Sequence, residues 1–109
     1  MANIVMSKEA ESDLVQIGDY ISEELNSPQA ALNTLMGIKT SIDKLEDFPL
    51  IGAPLSSIFE IDTDYRFLVC GNYLAFYHTD EIDVYIDRII YGKRDYISIL
   101  FEGTQLEDI

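Results

Sequence analysis

The chain has 109 residues, which suits one small domain with a modest core and leaves no room for a second module. Its 20 acidic and 7 basic residues give a formal net charge of −13. Proteins that bind nucleic acids hold phosphates with lysine and arginine, so this charge argues against direct nucleic-acid binding. No apolar run approaches the roughly 20 residues of a membrane span. The first residues lack the features of a secretory signal, so we expect a cytoplasmic protein without a membrane partner.

Cysteine and histidine are too scarce for a metal site. Cys70 is the single cysteine and His78 the single histidine, so neither an internal disulfide nor a cysteine metal knuckle is available. A free cysteine usually acts as a small apolar side chain, and a lone histidine is more often incidental than catalytic. We therefore expect no metal and no cofactor.

The first half of the chain predicts a strand and two helices. Residues 4–6 form a short apolar start, and Ser7 followed by acidic residues is typical of a helix N-terminus. Apolar residues then recur every three or four positions, which predicts an amphipathic helix. Ser27 and Pro28 begin a second periodic segment that ends at Pro49. The short connection between the two predicts an antiparallel helical hairpin.

The second half of the chain predicts strands. Residues 50–64 have no sustained period and read as a loop with room for a short extended piece at 58–61. Residues 65–69, 73–78 and 83–91 are rich in β-branched and aromatic side chains and are separated by turn residues. They predict a three-stranded antiparallel meander.

The last predicted strand has one clean apolar face. Strict alternation places one set of side chains on that face: Ile82, Val84, Ile86, Arg88 and Ile90. The set on the opposite face is Asp83, Tyr85, Asp87, Ile89 and Tyr91. We therefore expect one side of the sheet to pack on the helices and the other to meet solvent or a partner.

The predicted fold class is α+β. It comprises an N-terminal strand, an antiparallel helical hairpin packed on a small antiparallel sheet, and the C-terminal three-stranded meander. Residues 96–101 have room for one further short helical or extended piece. Residues 1–101 form the predicted single domain, and residues 102–109 form an acidic tail that we expect to be flexible.

Landmark residues recur in a fixed order over nearly the whole chain. The first helix carries Ala10, Asp13, Leu14, Ile17, Tyr20 and Ile21, and the second ends in Leu45, Phe48 and Pro49 before Gly52. The sheet carries Arg66, Gly71, Tyr73, Leu74, Phe76, Tyr77 and Arg88, then the closing residues 92–95. This ordered set resembles the ParE/RelE superfamily, the plasmid-stabilisation-type toxins of type II toxin–antitoxin systems. The resemblance is closer to ParE than to RelE, and it implies the ParE/RelE-like fold.

The resemblance leaves three interpretations of function open. The favoured one is a growth-inhibiting toxin that binds a cellular target such as DNA gyrase and is neutralised by a cognate antitoxin encoded by an adjacent gene. The second is a ribosome-dependent mRNA endoribonuclease. The third is a non-toxic, decayed or regulatory interaction module.

Basic residues concentrated in the sheet region are the candidate functional residues. For a ribonuclease, the candidate catalytic cations are Arg66, Arg88 and Arg94, and the resemblance places Arg94 where ribonuclease-type members carry a catalytic arginine. Leu74 and Leu100 occupy positions where ribonuclease-type members carry an arginine and a tyrosine. Because this catalytic set is incomplete, we rank RNA cleavage below target binding. The candidate target-binding residues are Arg66, Arg88, Tyr91, Lys93 and Arg94.

These residues also have a purely structural interpretation. Arg66 and Arg88 have acidic neighbours, namely Asp62, Asp64 and Asp87, with which they can form surface pairs of little energetic value. The tyrosines suit cross-strand packing better than acid–base chemistry because the ordinary pKa of tyrosine is about 10. Lys93 and Arg94 directly follow the last strand, which is as typical of a solvated strand end as of a functional pair.

The resemblance further implies that the antitoxin lays a helix on the helical hairpin and adds a strand to a sheet edge. The candidate antitoxin-binding residues are Leu14, Ile17, Ile21 and Leu35. Antitoxins of this kind are usually acidic and their toxins basic, whereas this chain is strongly acidic. We therefore expect a partner whose toxin-binding segment is more basic, or one that relies on apolar anchors.

Overall fold

Residues 2–101 are described by a computed structural model of the chain, and the predicted tail at 102–109 lies outside them. The elements are β1 (Asn3–Met6), α1 (Lys8–Glu24), α2 (Pro28–Asp43), β2 (Ala53–Pro54), β3 (Arg66–Cys70), β4 (Tyr73–Thr79), β5 (Asp83–Tyr91) and α3 (Tyr96–Leu100). Single turns of 3-10 helix follow α2 and β2. Within the described part, no helix has the length and apolar character needed to cross a membrane.

Serine caps determine where α1 and α2 begin. The Ser7 hydroxyl oxygen accepts the Ala10 N–H at 2.9 Å, and the Ser27 hydroxyl oxygen accepts the Ala30 N–H at 3.1 Å. Pro28 occupies the first turn of α2, where a missing N–H leaves no helical hydrogen bond unmade. Both predicted helix starts are confirmed.

The five strands form one sheet in the order β1-β5-β4-β3-β2. β3, β4 and β5 pair antiparallel, as the predicted meander requires. β1 instead pairs with β5 in parallel, with Asn3 opposite Asp83. The α+β fold class is confirmed, but the sheet is mixed rather than wholly antiparallel, because β5 returns beside β1 in the same direction.

The loop between α2 and β3 differs from its prediction. Extended pairing occurs at β2, where Ala53 lies opposite Phe67 and Pro54 opposite Arg66, and residues 58–61 form no strand. Pro54 has no N–H to donate, which suits a short strand at the edge of a sheet.

A β-bulge in β5 breaks the predicted alternation. Phe76 pairs with Arg88 and Tyr77 pairs with Ile86, so Asp87 is an extra residue between them. After the bulge, each residue of β5 therefore lies on the sheet face opposite to the one predicted for it. Ile89 joins Val84 and Ile86 in the core under the helices, whereas Ile90 belongs to the core on the other side. The prediction that Ile90 shares a face with Val84 and Ile86 is therefore wrong.

Both faces of the sheet carry a core. The core under α1 and α2 contains Ala10, Ile38, Ile42, Leu45, Cys70, Ala75, Tyr77, Val84, Ile86 and Ile89. On the opposite face, Leu55, Phe76 and Ile90 are buried beneath α3 and Phe101. The expectation that this second face would meet solvent or a partner is wrong over this region, because the short C-terminal helix α3 covers it.

Candidate functional site

Arg88 is held by Asp13 of α1. Its Nε and Nη2 donate to the two carboxylate oxygens of Asp13 at 2.8 and 2.9 Å, a bidentate pair. The same carboxylate accepts the Ile89 N–H at 2.9 Å, and Asp13 is only 8% exposed. The sequence had suggested acidic neighbours in the loop and in β5 as partners. The bidentate partner comes instead from a helix 75 residues earlier in the chain.

Arg66 fastens the loop after α2 to the sheet. Its Nη1 donates to the carbonyl of Gly52 at 2.6 Å and to that of Leu50 at 3.3 Å. The Gly52 N–H donates to the buried Tyr77 hydroxyl at 2.9 Å. Arg66 and Arg88, two of the predicted functional cations, therefore both have structural partners within the domain.

A pocket of about 410 Å³ lies between α1 and the C-terminal end of β5. We call it the tyrosine pocket, and its lining residues are Asp13, Gln16, Ile17, Tyr20, Tyr73, Ile89, Tyr91 and Arg94. It brings together the predicted target-binding residues Tyr91 and Arg94 with Ile17, which was predicted to bind the antitoxin. Lys93 is exposed and lies outside this lining.

Backbone hydrogen bonds fix the rim of the tyrosine pocket. The Gly92 N–H donates to the Asn72 carbonyl at 2.9 Å, and the Arg94 N–H donates to the Tyr91 carbonyl at 3.0 Å. Tyr73 and Tyr91 pair across β4 and β5 with ring centroids 5.6 Å apart. Within residues 2–101, the exposed Arg94 guanidinium has no hydrogen-bond or ion-pair partner.

The chemistry of the tyrosine pocket suits binding. The charge of Asp13 is matched by Arg88, which leaves Arg94 as the cation at the rim. Burial raises the pKa of Tyr73 above its ordinary value, so its hydroxyl stays protonated at neutral pH. Aromatic rings with arginine are the groups that most often anchor protein–protein contacts. This arrangement can hold an apolar or aromatic group beside a hydrogen-bond acceptor or an anion.

Sequence reasoning missed part of this lining. Asp13, Gln16 and Tyr20 were not predicted as site residues, although Asp13 and Tyr20 belong to the landmark pattern of the first helix. With Ile17, these residues recur at intervals of three and four, which places them on one side of α1. That spacing was the signal available in the sequence.

The predicted antitoxin-binding residues are only partly accessible. Leu14 and Ile17 pack against the core under the helices, and Leu35 is half-buried. Ile21 lines a second pocket, of about 580 Å³, between the helices and the β3–β4 turn. The large apolar side chains that the hairpin exposes are others: Val15, Tyr20, Leu25, Leu32 and Met36.

His78 belongs to a polar cluster at the bulge. Its Nδ1 shares a hydrogen bond with the Asp87 carboxylate, and its ring stacks on Tyr85 with centroids 4.9 Å apart. Burial raises the pKa of Asp87, although the bond to His78 opposes that shift. The bond to Asp80 raises the pKa of Tyr85 to about 12. These contacts anchor the bulge and the β4–β5 turn.

Cys70 is buried among apolar side chains. Burial raises the pKa of its thiol, which lowers the fraction of reactive thiolate. No cluster of three or more His, Cys, Asp or Glu side chains placed to hold a metal ion is found within residues 2–101.

Comparison with known proteins gives one family and a few similar structures. A family model for the ParE toxin of the type II toxin–antitoxin system parDE matches residues 4–96. A structure titled as the chromosomal ParDE TA system from P. aeruginosa is similar, with a TM-score of 0.70 and 22% identity over 84% of this chain and 96% of that one. No curated protein matches the sequence of this chain.

Two structures of the E. coli DinJ–YafQ complex are more distant. Both have a TM-score of 0.46, and both matches cover 94% of this chain. The first is 13% identical in sequence and is covered over 100% of its own length, and the second is 14% identical and is covered over 98%. The resemblance read from the sequence, closer to ParE than to RelE, is confirmed by the family model and by the ParDE fold. Because that model spans most of the chain, the protein belongs to the ParE toxin family of type II toxin–antitoxin systems.

Proposed function

We propose that this toxin inhibits growth by binding a protein target such as DNA gyrase through the tyrosine pocket, and that a cognate antitoxin neutralises it. The observation that carries the proposal is the convergence of Tyr20, Tyr73 and Tyr91 with Arg94 in one pocket. Exposed tyrosine and arginine side chains around a concave site favour a protein ligand. The net charge of −13 favours a protein over RNA.

Membership of the ParE family supports an antitoxin as the natural partner, since the family is the toxin of a toxin–antitoxin system. The position of Ile17 supports a simple mode of neutralisation. This side chain lies on α1, in the helical hairpin, and also lines the tyrosine pocket. An antitoxin segment that covers Ile17 would therefore also cover part of the target-binding surface.

The alternative of mRNA cleavage is less well supported by the contacts of the arginines. Stabilising a cleavage transition state needs cations directed at the scissile phosphate. Arg88 is committed to Asp13 and Arg66 to backbone carbonyls, which leaves Arg94 as the one predicted catalytic arginine without a partner within residues 2–101. These contacts support the proposal that the tyrosine pocket binds a target rather than cleaves RNA.

Replacing Arg94 by alanine tests this proposal. We expect at least a tenfold rise in the toxin concentration that half-inhibits gyrase supercoiling, because an arginine at a binding hot spot contributes about 2 kcal/mol or more. The free energy of unfolding should stay within about 0.5 kcal/mol, since Arg94 is exposed. Lys44→Ala is the matched control, because it removes the same charge outside the pocket.

Three results would contradict the proposal. Equal inhibition by the Arg94→Ala toxin would place target binding elsewhere. Message cleavage in primer extension after induction, with supercoiling unaffected, would favour the endoribonuclease. Unimpaired growth on induction without the adjacent gene would favour a non-toxic module.

A further inference from the structure

The outer surface of the helical hairpin combines an apolar row with an acidic row. On α2, Leu32 and Met36 lie four residues apart and are 50% and 58% exposed. On α1, a second row of exposed residues follows at four-residue intervals: Glu11, Val15, Asp19 and Glu23. Rows with this spacing form the ridges against which another helix packs.

The two helices that carry these rows approach each other closely. An added Cβ on Gly18 of α1 would lie 3.1 Å from Leu35 Cδ1 of α2. Leu25, which caps the C-terminal end of α1, is 64% exposed and lies in the connection to α2. The hairpin thus presents exposed apolar side chains that no other part of residues 2–101 covers.

The charge on this surface has one sign. Helix α1 carries six carboxylates and a single basic residue, Lys8. Of these carboxylates, Asp13 is paired with Arg88 inside the domain, and the other five are exposed: Glu9, Glu11, Asp19, Glu23 and Glu24. On α2, the charges of Lys39 and Asp43 pair with each other at 2.8 Å. The apolar surface therefore has an acidic border on the α1 side and a neutral α2.

We infer that this hairpin surface binds a cationic amphipathic helix, with apolar side chains on Leu25, Leu32 and Met36 and lysine or arginine along its α1 edge. A helix of about four to five turns matches the length of α1. An acidic helix would be repelled by the uncompensated carboxylates of α1. The inference rests on the proposed neutralisation by an antitoxin and specifies its chemistry: a basic toxin-binding helix.

Two synthetic peptides of about 16 residues test whether the surface prefers a positively or a negatively charged helix. They share leucines at helical spacing of three and four, and one carries lysines along one edge where the other carries glutamates. By fluorescence anisotropy with the full chain at about 50 mM salt, the lysine peptide should bind at least about tenfold more tightly. Its affinity should fall as the salt rises to about 300 mM.

Three double variants localise the binding. The first variant combines Leu32→Ser with Met36→Ser, and the second combines Asp19→Asn with Glu23→Gln. Each should weaken binding of the lysine peptide by about tenfold. Only the second should also reduce the dependence of this binding on salt. Glu60→Gln with Asp62→Asn removes the same charge from an exposed loop and should change the affinity less than about twofold. All of these side chains are exposed, so folding should survive, and circular dichroism checks it.

Other outcomes would overturn the inference. Equal affinity for the glutamate peptide would show that charge does not select the partner. An equal loss of affinity in the Glu60/Asp62 variant would show that only the net charge of the protein attracts the lysine peptide. Sedimentation that shows a dimer abolished by Leu32→Ser with Met36→Ser would assign the surface to a second copy of the chain. Because each readout is binding, the inference is tested even if gyrase proves not to be the target.

Discussion

Asp13 illustrates how one side chain can support both stability and the site. It lines the tyrosine pocket, yet its carboxylate accepts hydrogen bonds from the Arg88 guanidinium and from the Ile89 N–H. Sequence reasoning predicted Arg88 as functional and Asp13 only as a landmark, because their interaction spans 75 residues and leaves no local pattern. Arg66 shows the same limit, since its partners are backbone carbonyls, which carry no sequence signature.

Replacing Asp13 by alanine should therefore destabilise the domain. The change removes, in a largely buried place, the carboxylate that accepts from the Arg88 guanidinium and from the Ile89 N–H, and we expect a loss of about 3 kcal/mol. Urea unfolding followed by circular dichroism measures it. Asp19→Ala, on the exposed side of the same helix, should change stability by less than about 0.5 kcal/mol. A loss below about 1 kcal/mol at Asp13 would show that the pair is not a structural link.

The elements were predicted well wherever periodicity or caps determine them. Both helix starts, the meander and the limits of β5 follow from serine caps and from alternating apolar residues. The β-bulge was not predictable, because Asp87 fits the alternation of a regular strand and only pairing with β4 reveals the extra residue. The parallel pairing of β1 and the cover supplied by α3 are likewise tertiary properties.

Gly37 and Gly52 offer a paired test of packing, because one has space for a side chain and the other does not. Gly37 lies in α2, and an added Cβ there meets nothing within 4 Å. Gly37→Ala should stabilise the domain by about 0.5–1 kcal/mol through helix propensity. At Gly52 the added Cβ would lie 2.6 Å from both the Phe67 carbonyl and the Tyr77 hydroxyl, so Gly52→Ala should cost about 1–3 kcal/mol. Thermal unfolding compares the two variants, and the same sign for both would refute the packing described around Gly52.

Across the whole molecule, charge is distributed unevenly along β5. Asp80 and Glu81 lie in the turn before this strand and Asp83 is its first residue, whereas Lys93 and Arg94 follow its far end. Over nine residues of extended chain this separates the two groups by about 30 Å. The sequence alone showed the net charge, but the placement of basic residues beside the tyrosine pocket and of carboxylates on the hairpin needed the fold.

The large net charge should make stability depend on salt. Self-repulsion among uncompensated carboxylates destabilises the folded state, and added ions screen it. At pH 7 we expect the melting temperature to rise by about 5 °C between about 20 mM and about 300 mM sodium chloride. At the sequence pI of about 4.1 the rise should disappear, because the net charge is then near zero. Calorimetry at both pH values measures it, and an equal rise at both would point to a cause other than charge.

The pairing of β1 with β5 and of Asp13 with Arg88 has a consequence for synthesis on the ribosome. The helical hairpin is complete once residue 43 has emerged, whereas the tyrosine pocket requires Arg94. At about 5–20 residues per second, the roughly 50 residues between them take about 3–10 s. During that interval the residues of the surface proposed for the antitoxin have been synthesised, whereas Arg94 of the surface proposed for the target has not. An antitoxin already present in the cell could thus engage the nascent toxin before its inhibitory site has formed.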